Sequence, residues 1–186
     1  REKRDYQKSI NSFEMILENE TLLEIDPSYY AATIDNLAYT RFLSKDKDRK
    51  GIKALFKRAY KIADSIEDDI MIMSSSSNLA ELYFSYNKKD SALFYVEKAY
   101  KISKKIKSFD FVSKNLLLLS KIKEGDVGKK YLYEHIKLND SLLNNERNVR
   151  NKFARIEFET DQIEAENIKI SRERLIFLLS SIGLLV

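Results

Sequence analysis

The sequence predicts an all-α protein in which helical hairpins stack in a row and one long helix follows them. Three observations carry that expectation. The 186 residues include one Pro and four Gly, so little in the chain breaks a helix and the connections should be short. Two helical sequence elements recur in alternation over most of the chain. From Asn148 a charged pattern then runs on, with no Gly or Pro until Gly183.

The elements follow in order. Asp5-Tyr6, with Ser9, Phe13 and Ile16 at helical spacing, predicts a first helix within a partial unit, 1–27. The next unit, about 28–67, carries Asn36-Leu37-Ala38 in its first helix and Lys57-Arg58-Ala59-Tyr60-Lys61-Ile62 in its second. Both elements return in the unit of about 68–107, as Asn78-Leu79-Ala80 and Glu97-Lys98-Ala99-Tyr100-Lys101-Ile102. A third copy, about 108–143, has Asn115-Leu116-Leu117 and Tyr133-Glu134-His135-Ile136-Lys137-Leu138. Polar turns at 44–51, 87–90 and 124–126 separate the two helices of each unit, and Asp90 and Asp126 are predicted N-caps. Neither helix of a pair can bury its apolar stripe alone, so stacking of successive pairs must create the core.

Composition narrows the function. There is no Cys, which excludes disulfides and thiolate metal sites. The net charge of +4 arises from 33 basic and 29 acidic residues of mixed order. Clusters such as Lys101, Lys104, Lys105 and Lys107 have the spacing of a solvated helix face, and nucleic-acid binding by this segment is not expected. Glycine-rich phosphate loops, nucleophile elbows and His/Cys clusters are missing, so no catalytic residue, metal or cofactor is predicted. The lone His135 sits among packing positions, where a structural role is expected.

The repeated pattern resembles the tetratricopeptide repeat (TPR) over about residues 5–143. Leu79, Ala80 and Tyr83 match the family's first-helix motif, and Ala92, Val96 and Ala99 match its second. Leu23-Glu24-Ile25-Asp26-Pro27 is similar to its repeat-closing segment. The chain departs from the family at Ser76, often Trp there, at Ile52 in place of a small residue, and at Gly128 and His135 in the third copy. The resemblance implies a TPR-like solenoid whose first helices line a groove for an extended peptide or a partner's helix. Asn36, Asn78 and Asn115 take one equivalent position, where an Asn in some relatives bonds the ligand backbone. An amide both donates and accepts, so these residues either form such a ladder or fix helix packing. Tyr39, Phe42, Glu81, Phe84, Ser77, Lys114, Leu118 and Lys121 are the expected groove neighbours. The run Ser74-Ser75-Ser76-Ser77 either permits close helix contact or leaves room for a ligand.

In the long helix of 144–174, Val149, Phe153, Ile156, Thr160, Ile163, Asn167, Ile170 and Arg174 alternate at spacings of four and three. That is a coiled-coil seam with Asn167 at a position where a buried amide fixes register, which predicts weak self-association as a parallel pair. A terminal helix folded back over the last repeat is the alternative. Leu175 to Val186 is uncharged but shorter than the roughly 20 residues that span a bilayer. The chain also begins at Arg1. A piece of a larger membrane protein is therefore expected, with 175–186 the start of a transmembrane helix or, alternatively, a buried core helix. The segment from Asn151 to Asp161, after Leu138 to Leu142 and ahead of that apolar run, resembles bacterial membrane-anchored TPR proteins of signal transduction. The resemblance implies a single-pass protein with periplasmic repeats. Its output would be a two-component sensor histidine kinase or, alternatively, a helix-turn-helix transcription regulator; a membrane-tethered scaffold is the third reading.

Overall fold

The structure, a computed structural model, describes residues 5–19 and 21–183. Among the described residues all regular structure is helical: α1 (Tyr6–Leu17), α2 (Leu22–Ile25), α3 (Pro27–Leu43), α4 (Arg49–Ser65), α5 (Asp69–Ser85), α6 (Lys89–Lys105), α7 (Phe109–Ile122) and α8 (Gly125–Gly183).

Aspartates start four of these helices. The carboxylates of Asp5, Asp26, Asp48 and Asp68 accept from the backbone N–H of Lys8, Tyr29, Gly51 and Met71, at 3.1, 2.9, 2.9 and 3.0 Å. Each satisfies a donor that the first helical turn leaves open, and Pro27, which has no N–H to satisfy, opens α3. The two expected caps are placed differently. Asp90 lies inside α6, whose N-cap is Lys88 with no side-chain bond, and Asp126 is the second residue of α8. Both are first-turn carboxylates, favoured there by the positive end of the helix.

The C-termini close with a repeated device. Lys45, Glu67, Asn87 and Lys107 all have positive φ, between 54 and 62°. At each, the next residue donates back five positions, as Asp46 does to Arg41 O at 3.1 Å and Lys88 to Tyr83 O at 2.9 Å. This reversed turn ends α3, α4, α5 and α6 alike, without the glycine that usually supplies it.

Contacts divide the chain into two units, one up to Leu138 and one from Asn139. In the first unit each helix from α3 to α6 packs on its sequence neighbours, and α5 also touches both α3 and α7. The second helices bury equivalent positions: Ile52, Phe56, Ala59 and Ala63 in α4, then Ala92, Val96, Ala99 and Ser103 in α6. Small residues bring the helices close while Phe56, fully buried, fills the space between pairs. Tyr83 stacks on Tyr95 with centroids 5.6 Å apart, and Tyr60 meets Tyr95 edge-on at 5.8 Å. Gly128 is a close-approach position, since a Cβ there would sit 2.2 Å from the Lys123 carbonyl oxygen.

The second unit is the remainder of α8. The apolar seam residues Val149, Phe153, Ile156, Ile163 and Ile170 are all exposed, by 40 to 66%. Thr160 and Asn167 are exposed as well, and the Thr160 hydroxyl donates to Ile156 O at 2.8 Å. Glu159 pairs along its own helix with Arg155 at 3.1 Å. No described helix is long and apolar enough to cross a membrane, and the end of the 175–186 run lies outside the described residues.

Candidate functional site

Three consecutive first helices, α3, α5 and α7, supply the expected groove residues. Their spacing follows from the turns: each helix pair ends in the same reversed turn, so equivalent positions return to one face. On that face a cleft of about 380 Å³ brings together Phe42 of α3, Glu81 and Phe84 of α5, and Lys114, Leu118 and Lys121 of α7. Tyr39 lies beside it, its ring 4.9 Å from Lys114 Nζ and its hydroxyl 3.4 Å from Glu81 Oε2. Ser77 does not reach the cleft. It is fully buried and donates to Asn115 Oδ1 at 2.9 Å.

Lys114 is the hub of the polar contacts. Its ammonium donates to Asn78 Oδ1 at 3.0 Å and pairs with Glu81 Oε2 at 3.2 Å. Asn78 in turn donates to Asp35 Oδ2 at 2.7 Å, and Ser74 donates to the same oxygen at 3.2 Å. A continuous chain thus runs from buried Asp35 in α3, through Asn78 in α5, to Lys114 at the cleft. Burial raises the Asp35 carboxyl to about 6, against the lowering effect of the Asn78 and Ser74 hydrogen bonds and the Lys114 charge.

The three asparagines have three different environments. Asn36 is exposed, Asn78 is 7% exposed and Asn115 is fully buried. Asn78 and Asn115 bond side chains of neighbouring helices, so they do not present one open ladder. The serine run serves close contact, since Ser75, Ser76 and Ser77 are all fully buried. His135 fastens α8 to α7, its Nδ1 standing 3.0 Å from Ser113 Oγ and 3.0 Å from Ser113 O.

Asp35 was not among the residues singled out from the sequence. Its signal was there: it follows Ala31 by four positions and precedes Ala38 by three, which places a carboxylate on the buried stripe of α3. A second cleft of about 380 Å³ adjoins the first and shares Phe42 and Ser85 with it, and it is lined also by Lys45, Lys47 and Arg49. No group of three or more His, Cys, Asp or Glu side chains among the described residues is arranged to hold a metal. No family model matches the chain, and no curated protein or solved structure matches it.

Proposed function

We propose that α3, α5 and α7 form the ligand face of a TPR-type array that binds an extended peptide. The chain would then be the sensor region of a membrane-bound signal-transduction protein. The observation that carries this reading is the cleft built from Phe42, Phe84, Lys114 and Lys121 on three consecutive first helices. An apolar floor bordered by cations and a carboxylate suits a peptide side chain, and the flanking helices suit its backbone. The exposed stripe of α8 supports the second half of the proposal. A parallel pair of such helices, with polar Thr160 and Asn167 in its seam, is weak enough to adopt two packings. Binding at the first unit would bias that pair, and the signal would pass through a membrane segment opening near Leu175. A histidine kinase is the output that the resembled family suggests, with the repeats outside the cytoplasm.

Selection of random peptides displayed on phage, with the chain as bait, tests the face directly. Enriched clones should lose most of their binding to Phe84→Ala, while keeping it for Lys101→Ala, an exposed residue of α6 that does not line the cleft. Clones that bind the Phe84→Ala chain as well as wild type would exclude this face.

A further inference from the structure

Resting on that peptide-binding reading, we propose that the ligand is an acidic peptide with one apolar anchor side chain. The anchor would seat between Phe42 and Phe84, and its flanking carboxylates would meet Lys121 on one side and Lys45 and Lys47 on the other. The argument is one of charge left over. The two adjoining clefts are lined by Lys45, Lys47, Arg49, Lys114 and Lys121, against the carboxylates of Asp46 and Glu81. Both carboxylates are engaged: Asp46 by Arg41 at 2.6 Å, Glu81 by Lys114 at 3.2 Å. Asp48 nearby caps α4 and lies 3.4 Å from Arg41. Arg49 lies over the Tyr86 ring, 5.2 Å from its centroid. Lys45, Lys47 and Lys121 are exposed and make no ion pair among the described residues.

Geometry favours a peptide over a bare polyanion. Phe42 and Ser85 belong to both clefts, so an extended chain crossing from one to the other passes directly over the aromatic floor. The floor is completed by Leu117 and Leu118, which reward an apolar side chain and offer nothing to a phosphate. Side chains on an extended peptide alternate in direction, so a central anchor can point down while its neighbours reach the rim cations. Lys45 holds positive φ, which keeps it in the turn at the C-terminus of α3 rather than in the helix.

The test uses three capped peptides of one length, measured by calorimetry on the whole chain. One has a central Phe flanked by Glu and Asp, the second replaces these by Gln and Asn, and the third by Lys. The acidic peptide should bind about tenfold more tightly than the amide analogue at low salt, the sum of a few exposed ion pairs. That preference should shrink at about 0.5 M salt and vanish in the triple variant Lys45→Glu, Lys47→Glu, Lys121→Glu. These residues are exposed, so an unchanged melting temperature would verify that the variant folds. Equal affinity for the acidic and amide peptides, both lost in Phe84→Ala, would overturn the acidic specificity and leave the peptide face standing. Binding of none of the three would overturn both readings. An oligothymidylate of matching charge that binds as tightly as the acidic peptide would also overturn the proposal, because bare charge would then carry the affinity.

Discussion

Asp35 is a carboxyl group that this fold favours in its neutral form. It is 2% exposed, and burial outweighs the help of Asn78, Ser74 and Lys114, so the group titrates near 6 rather than 3.8. A raised carboxyl pKa means that the folded chain holds a proton that the unfolded chain has released. Its stabilising contribution is full below about pH 4, falls as pH rises, and is lost above about pH 6, a total of about 3 kcal/mol. Asp35→Asn has no proton to lose. The difference in unfolding free energy between wild type and this variant, from urea titrations, should therefore drop by about that amount between roughly pH 4 and 7. A difference constant across that range would show that Asp35 is ionised throughout. Sequence patterning carries half of this result. A carboxylate on the buried stripe of α3 is readable from Ala31 and Ala38, but its partners are not, because Asn78 and Lys114 arrive from other helices. The Asn36 position shows the same limit from the other side. The same Asn-Leu-Ala stands at 36 and at 78, yet Asn36 is exposed and Asn78 buried, because Asp35 and Lys114 enclose Asn78 from the helices on either side.

At the scale of elements, the helices themselves were legible and their ends were not. Repetition of Asn-Leu-small and of the Tyr-containing segments locates α3 to α7 and the first part of α8 without reference to tertiary contacts. The ends of α3 to α6 depend on turns whose usual marker, glycine, is missing at all four. With the turn at Asn87 closed by Lys88, α6 starts before Asp90, and the expected cap becomes a first-turn residue. These turns also hold strain. A left-handed conformation costs a residue with a Cβ about 1 kcal/mol or more, part of which a glycine relieves despite its larger unfolded-state entropy. Glu67→Gly should therefore raise the unfolding free energy by about 0.5–1 kcal/mol, read as a higher thermal midpoint. A lower midpoint would mean that the Glu67 side chain contributes more than its backbone costs. Gly128 illustrates a reading that sequence pattern alone inverts. It looks like the decay of a repeat motif, yet the Lys123 carbonyl stands where any side chain would begin.

At the scale of the whole molecule, the two units face different questions. The first is held by its own core, whereas the stripe of α8 has no cover on Val149, Phe153, Ile156, Ile163 or Ile170. If that stripe pairs with a second copy, sedimentation of residues 1–174 should show concentration-dependent dimers. Ile156→Glu and Ile163→Glu together should abolish them, because a buried, unpaired carboxylate in a seam is strongly unfavourable. Monomers at every concentration for the wild-type chain would remove pairing from the proposed mechanism. The narrowness of the stripe was visible in the sequence through its four-three spacing. The turns described above carry one more consequence, for how such a chain can change length. Glu67 and Lys107 close successive helix pairs with the same backbone reversal, forty positions apart. A duplication of 68–107 would therefore insert a complete pair whose entry and exit are already shaped to join its neighbours. Growth by a single helix would put the wrong face against the next element. The fold can lengthen or shorten in steps of two helices, and each step would add one more equivalent position to the face where a peptide could lie.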